Sequence, residues 1–86
     1  SQAIEELKEK GLWIYGADMG GKNVNEEKFD VPMALVIGSE GSGIGRLVKE
    51  KCDNLVKIPM KGNVGSLNAS CAASIIIYEI MKQRGI

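Results

Sequence analysis

The residues best suited to chemistry stand in two glycine-rich loops, and the second loop is the more unusual. In IPMKGNVGSLNAS, residues 58–70, an apolar strand end runs into Pro59, two glycines follow, and a Ser-x-Asn-x-Ser set opens an apolar helix. A side-chain oxygen at Ser66 or Asn68 can cap the first turn of that helix. One cap explains one residue and not Ser66, Asn68 and Ser70 together, so we expect the loop to hold a ligand as well.

The first loop is IGSEGSGIG, residues 37–45, and it also stands between a strand and a helix. Ligands of open parallel sheets bind outside the carboxyl ends of the strands, so its position suits a nucleotide-like ligand. Two phosphate-binding patterns fail at Arg46. A P-loop requires a lysine after its last glycine, and a dinucleotide-binding fingerprint starting at Gly41 requires a glycine or alanine at position 46. Glu40 would also repel a phosphate. Glycines selected only for tight turning remain an alternative for this loop.

Composition excludes several kinds of chemistry. The chain has 86 residues, with 11 basic and 11 acidic side chains, no histidine and two cysteines. Balanced charge gives no overall field for nucleic acid or membrane, and without histidine or a paired-cysteine motif no metal site is predicted. The charged start of the chain is unlike a signal peptide, and no apolar run has the length of a membrane span. We therefore expect a cytoplasmic, metal-free protein with Cys52 and Cys71 reduced.

The pattern of apolar residues predicts helices alternating with strands. Such alternation indicates an α/β fold, with a parallel sheet and flanking helices. The polar stretch 18–32 is predicted to be a long loop, because it lacks an apolar period. Predicted helices cover 3–11, 44–52 and 66–85, and predicted strands cover 12–17, 33–38 and 54–60.

Two of these elements carry expectations about packing. The helix at 44–52 should place Ile44, Leu47 and Val48 on one face. The last helix contains Ile75, Ile76 and Ile77 in succession, so its apolar surface is wider than one stripe. It needs a second cover besides the sheet, either another helix of a complete domain or another subunit. The strand at 33–38 is apolar throughout, which is typical of a strand covered on both faces.

Both glycine loops resemble a known family. VIGSEGSGI and IPMKGNVGSLNASCAAS are similar to the second and third signature motifs of the SpoU/TrmH RNA ribose methyltransferases of the SPOUT superfamily. GLWIYGAD and the stretch up to KQR match as well, so the resemblance covers nearly the whole chain. It implies that residues 1–86 are the C-terminal part of a SPOUT, or α/β knot, methyltransferase domain. The family's first motif, an Asn-x-Gly-x-x-x-Arg-like pattern with the arginine that activates the ribose hydroxyl, does not occur in the chain.

The resemblance also implies a set of site residues around S-adenosylmethionine, held mainly by backbone groups in a deep trefoil knot. Supporting catalytic roles fall on three polar side chains, with Glu40 orienting the substrate and Ser66 and Asn68 donating or accepting hydrogen bonds. Each of the three can instead be purely structural. The implied cofactor-binding residues are Gly38, Ser39, Ile58, Met60, Gly62, Ser66 and Leu67.

By the same resemblance, the parent protein is an S-adenosylmethionine-dependent 2′-O-ribose methyltransferase acting on rRNA or tRNA, at a guanosine. The chain alone is expected to be inactive, and to form a homodimer through its last helix, without metal or membrane. An alternative is a non-catalytic dimerisation or binding module built on the same half-fold. A generic nucleotide-binding α/β protein is a third interpretation, and a response to S-adenosylmethionine separates it from the other two.

Overall fold

The computed structural model describes residues 2–38, 43–59 and 69–86. The described residues form three strands and three α-helices, with a 3₁₀ turn between the first two strands, which confirms the predicted α/β class. The elements in chain order are α1 (Gln2–Glu9), β1 (Trp13–Asn23), a 3₁₀ turn (Val24–Glu26), β2 (Met33–Val36), α2 (Arg46–Lys51), β3 (Asn54–Lys57) and α3 (Ala69–Arg84).

The three described strands form one parallel sheet in the order β2-β1-β3, with β1 in the centre. Trp13 of β1 is in register with Met33 of β2, and Tyr15 of β1 is in register with Asn54 of β3. Because β2 and β3 both run parallel to β1, their carboxyl ends lie at the same edge of the sheet. The residues that follow β2 and β3 therefore begin on that edge.

The hydrophobic core lies between one face of the sheet and α3. The rings of Tyr15 and Phe29 meet at a centroid distance of 5.2 Å and an angle of 51°, a tilted geometry that aromatic pairs favour. Partly buried residues such as Ile58 and Ile80 pack around this centre. The buried members of the core are Tyr15, Val24, Phe29, Val56 and Ile76.

On the opposite face of the sheet, α1 lies against β1. Side chains alternate along a strand, so Ile14 points away from the Tyr15 side, and it is fully buried there. Asp53 fixes this corner, because its backbone N–H donates to the Ile14 carbonyl at 2.8 Å while its Oδ2 accepts from the Ile14 N–H at 2.7 Å. Lys8 of α1 adds an ion pair to the Asp53 carboxylate, with Nζ and Oδ1 at 3.7 Å. One aspartate thus joins α1, β1 and the start of β3.

The prediction of a loop over residues 18–32 was wrong for its first nine residues. β1 continues to Asn23, after an irregularity between Ala17 and Lys22, and the 3₁₀ turn follows. Gly21 permits this course, since a Cβ there would lie 2.5 Å from the Leu55 carbonyl carbon. The extension is held by backbone pairing and a close backbone approach, which leave no apolar period in the sequence.

The predicted apolar face of the helix at 44–52 was also wrong. The helix begins at Arg46, so Ile44 precedes it and is buried from the loop, whereas Leu47 is 68% exposed and Val48 is half-buried. A helical period counted from Ile44 therefore starts outside the helix. The predicted cover on both faces of the second strand is incomplete in this chain, because all four residues of β2 are only half-buried.

α3 is covered on one side within the described residues. Ile76 is buried against the core, while Ile75, Ile77, Tyr78 and Met81 are exposed. The second surface inferred from the sequence is therefore present, and nothing in the described part of the chain covers it. None of the helices among the described residues combines the length and apolarity that a bilayer crossing requires.

Candidate cofactor site

Two of the predicted cofactor-binding residues are described, and both lie just beyond strands at the carboxyl edge of the sheet. Gly38 follows β2 by two residues, and Ile58 follows β3 directly. β1 stands between these two strands and leaves its regular pairing with β3 at the same level, between Ala17 and Lys22. The sequence prediction that both glycine loops start from one edge agrees with this topology.

Gly38 stands where the first glycine loop closes at its base. A Cβ on Gly38 would collide with the backbone of Gly43 and Ile44, so only glycine lets the two ends of the loop meet this closely. Gly43 itself has a positive φ of 68°, which glycine adopts without the strain that a Cβ brings. These contacts give both glycines a structural reason in addition to the predicted role of Gly38 beside a cofactor.

Ile58 packs partly buried against the core cluster as β3 ends. Ile58 thus lies where the core meets the carboxyl edge of the sheet. Pro59 follows it and restricts the backbone φ angle just after β3. An apolar side chain in this position can serve as one wall of a ligand site that opens beyond the strand ends.

The other predicted site residues lie outside the described residues, and their roles stay predictions. The set includes all three residues given a supporting catalytic role. The residues concerned are Ser39, Glu40, Met60, Gly62, Ser66, Leu67 and Asn68.

The edge also contains neighbours that the sequence analysis did not single out. In the irregular part of β1, Asp18 accepts a hydrogen bond from the Gly20 N–H at 2.9 Å and pairs with Lys49 of α2 at 3.3 Å. Met19, between them in sequence, is 64% exposed. The sequence feature that marks this irregular strand is the DMGG tetrapeptide, residues 18–21, which lies at the start of the predicted loop 18–32. Asp18 thus ties the irregular strand end to the helix that follows the first glycine loop.

Cys52, close to this region, has the properties of a packed thiol. Its Sγ donates to the Val48 carbonyl at 3.4 Å, and a Cβ on Gly16 would lie 2.7 Å from that sulfur. Burial is the main cause that raises the pKa of the Cys52 thiol. Since the thiolate is the nucleophile, a raised pKa makes Cys52 a poor one at neutral pH. Cys52 is a free thiol, as the sequence predicts.

The family follows from comparison with known proteins. The model of the SpoU rRNA methylase family matches residues 1–78, so the chain belongs to that family. A Bacillus subtilis (strain 168) protein named as a putative TrmH family tRNA/rRNA methyltransferase, YacO, is 51% identical over 85 residues. That match takes in 98% of this chain and 34% of the relative, so the chain spans about a third of the length of such relatives.

Solved structures agree with the fold. The SpoU methyltransferase AviRb from Streptomyces viridochromogenes, in complex with the cofactor AdoMet, superposes with a TM-score of 0.83 at 36% identity, over 96% of this chain and 32% of that one. The crystal structure of an RNA 2′-O ribose methyltransferase gives a TM-score of 0.88 at 27% identity, over 99% of this chain and 33% of the other. The family resemblance seen in the two glycine motifs is thereby confirmed, as is the α/β fold class.

Proposed function

We propose that the protein carrying this chain is an S-adenosylmethionine-dependent RNA methyltransferase. The observation that carries the proposal is the convergence of two parallel strand ends, each followed by a glycine loop, at one sheet edge. Similarity to an AdoMet-bound SpoU methyltransferase supports the choice of ligand. Gly38, which has no side chain to obstruct the edge, and the apolar Ile58 suit a ligand held by backbone groups and apolar contacts.

The finer proposal is methylation of a ribose 2′-oxygen in rRNA or tRNA. Similarity to a 2′-O ribose methyltransferase supports the position of the methyl group, and the names of relatives support the two classes of RNA. A guanosine target rests on the motif resemblance alone. The trefoil knot and a cytoplasmic location belong to the same proposal.

The residues of this chain act by positioning. When bound, S-adenosylmethionine supplies a methyl group on a positively charged sulfur, and the ribose oxygen that takes it gives up its proton to a base. Gly38 and Ile58 line the cofactor side in this proposal, and Leu67 completes the apolar wall. Ser66 and Asn68 hold polar groups by hydrogen bonds, and Glu40 orients the ribose. Holding the reactants in line supplies much of the rate acceleration in such transfers.

This chain alone is proposed to bind the cofactor without transferring its methyl group. Its only arginines are Arg46 and Arg84. Arg84 donates hydrogen bonds to the carbonyls of Phe29 and Val31, just before the start of β2, which is the sheet edge opposite the candidate site. Arg46 opens α2 in an exposed position. Neither arginine lies in an Asn-x-Gly-x-x-x-Arg-like motif, so the group that activates the ribose hydroxyl must come from elsewhere in the parent protein.

We further propose a homodimer formed through α3, whose exposed apolar residues support an interface. The same surface is the observation that favours the second candidate function, a non-catalytic dimerisation module. Cofactor binding separates the two, because a module that only dimerises has no need of the loops at the carboxyl edge.

The deciding experiment is calorimetric titration of the folded chain with S-adenosylmethionine and S-adenosylhomocysteine. Gly38→Ala is the test variant, since its Cβ collides with the backbone at the base of the first loop. Gly45→Ala is the matched control, since a Cβ there meets nothing within 4 Å and its φ is an ordinary −68°. We expect saturable binding by the unaltered chain and by Gly45→Ala, with at least a tenfold loss, about 1.4 kcal/mol, in Gly38→Ala.

Circular dichroism melts of all three proteins show whether a loss of binding reflects a loss of folding. If Gly38→Ala does not fold, Asn68→Ala replaces it as a test of the second loop. A folded, unaltered chain that binds neither compound, together with a full-length parent that also binds neither, contradicts the proposed function.

A further inference from the structure

Gln83 and Arg84, in the last turn of α3, form hydrogen bonds with the backbone of the segment that precedes β2. Gln83 Nε2 donates to the Glu27 carbonyl at 2.9 Å, and Gln83 Oε1 accepts from the Phe29 N–H at 3.0 Å. Arg84 Nε donates to the Phe29 carbonyl at 2.9 Å, and its Nη2 donates to the Val31 carbonyl. We call these four hydrogen bonds the clamp. They join segments more than 50 residues apart in the chain.

The clamp is itself held in place. Glu79, one turn earlier in α3, accepts a second hydrogen bond from Gln83 Nε2 at 2.9 Å, and its side chain is 14% exposed. This contact fixes the orientation of the Gln83 amide, so that its oxygen faces the Phe29 N–H. Arg84 contributes a planar fork, which loses less freedom for each hydrogen bond than a flexible amine would.

The two elements joined by the clamp are those connected to the two glycine loops. Segment 27–31 leads into β2, and β2 leads to Gly38 at the base of the first loop. α3 begins at Ala69, immediately after the stretch that contains the second loop. Both loops follow strands that end at the carboxyl edge of the sheet, whereas the clamp lies at the amino edge. The clamp therefore fixes, at the far end, the spacing of the two elements that frame the candidate cofactor site.

α3 can transmit a displacement from one end to the other. It contains neither glycine nor proline over its 16 residues, so it is a rod of about 24 Å. Between its ends, the buried contact on the core is made by Ile76, with Ile80 half-buried beside it. Ile76 stands near the middle, so without the clamp the helix can pivot there and move its two ends by similar amounts in opposite directions.

We propose that Gln83 and Arg84 are positioning residues for the cofactor site, acting through the placement of α3 relative to the segment that leads into β2 and Gly38. This inference deepens the proposed function and rests on it. Neither side chain touches the ligand, and both lie at the opposite edge of the sheet. Their effect is on the affinity for S-adenosylmethionine and S-adenosylhomocysteine, through the position of the N-terminal end of α3 relative to β2.

The test compares Gln83→Ala and Arg84→Ala with Lys82→Ala in titrations with S-adenosylhomocysteine. Lys82 stands in the same helical turn, its side chain is 59% exposed, and among the described residues its ion pair is with Glu79, so it is the matched control. The titrations are made well below the melting temperature of every variant. We expect Gln83→Ala and Arg84→Ala to raise the dissociation constant about three- to tenfold, since small misplacements at a site are costly. Lys82→Ala should stay within about twofold, as an exposed ion pair contributes little.

Hydrogen exchange of the backbone amides of residues 73–75, the first amides of α3 whose i−4 acceptors lie within the helix, gives a readout that needs no ligand. Faster exchange there in the clamp variants, and not in Lys82→Ala, is the expected result, because the affected amides lie at the other end of the helix. Arg84→Lys keeps the charge but loses the fork, and it serves if Arg84→Ala does not fold. We expect a smaller loss of affinity for it.

Each outcome decides the question. If the clamp variants melt at a lower temperature but bind S-adenosylhomocysteine as the unaltered protein does, the clamp is only stabilising and the inference is wrong. If neither the unaltered chain nor its full-length parent binds, the proposed function fails and the inference fails with it. Binding by the unaltered protein, weakened by the clamp variants alone, supports both.

Discussion

Glu79 shows how one side chain serves two neighbours at the end of a helix. Its carboxylate accepts from Gln83 at 2.9 Å through Oε2 and pairs with Lys82 at 3.1 Å through Oε1. The hydrogen bond from Gln83, followed by that from Lys82, lowers the pKa of Glu79 below its ordinary value of 4.5. The charged form is thus the one that the folded state favours.

The lowered pKa sets the direction of a pH effect. A group whose pKa is lower in the folded state binds protons more readily when unfolded, so its contribution is present above about pH 4.5 and is lost as the pH falls through the folded value. We expect Glu79→Gln to reduce the difference in melting temperature between pH 6 and pH 3. Glu6→Gln is the control, as Glu6 makes none of the ion pairs found among the described residues. Equal pH profiles for Glu79→Gln and the unaltered chain would contradict the assignment.

At the scale of elements, helices and strands could be predicted from the sequence where an apolar period or a characteristic helix-ending residue marks them. Gly11, the last residue of the first predicted helix, follows α1 with a φ of 87°, the left-handed conformation in which glycine commonly ends a helix. The parallel sheet followed from the alternation of helices and strands. The sequence was insufficient where backbone contacts decide the structure, and the second half of β1 is the main instance. Phe29 belongs to the core although it stands in a polar stretch of sequence. The clamp holds its backbone at the end of α3 by hydrogen bonds that the sequence does not indicate.

The candidate site also has features that could be predicted from the sequence and features that could not. Glycine loops after two strands could be placed at one edge from the order of elements alone. The structural reason for Gly38 could not, because it depends on the backbone of Gly43, which only the folded loop brings close. The partners of Gln83 and Arg84 could not be predicted either, since nothing in the spacing of these residues indicates partners more than 50 residues away.

The extension of β1 can be tested with a pair of adjacent glycines. Gly21→Ala puts a Cβ 2.5 Å from the Leu55 carbonyl carbon and 2.6 Å from the Val56 nitrogen, both of which are backbone atoms. We expect a loss of about 1–3 kcal/mol in the free energy of unfolding, the usual range for overpacking. Gly20→Ala meets only the Asp18 carboxylate, at 3.1 Å, which can turn aside. Its cost should stay below about 1 kcal/mol. Urea denaturation of the two variants gives the comparison, and equal stability would count against the strand assignment.

At the scale of the whole molecule, α3 has one side covered by the core and one side that no described residue covers. Tyr78 is 67% exposed and stands on the helix face that also carries Ile75 and Met81. Three large apolar side chains on adjoining turns form a continuous surface, which is uncommon on a monomer unless it binds something. A second copy of the chain would present the same surface, as a two-fold symmetric interface requires.

The homodimer is tested by charging this surface. We expect the unaltered protein to sediment as a dimer at concentrations of tens of micromolar, and Tyr78→Glu to shift it to monomer, because a carboxylate in an apolar interface is costly to desolvate. Leu47→Glu is the matched control: Leu47 is 68% exposed on α2, so the same chemical change is made away from α3. A control that dissociates as readily as Tyr78→Glu would show that the interface is not at α3. A monomeric unaltered protein, in both the chain and its full-length parent, would mean that another part of the parent covers this face. The apolar residues of α3 would then belong to the interior of a larger domain.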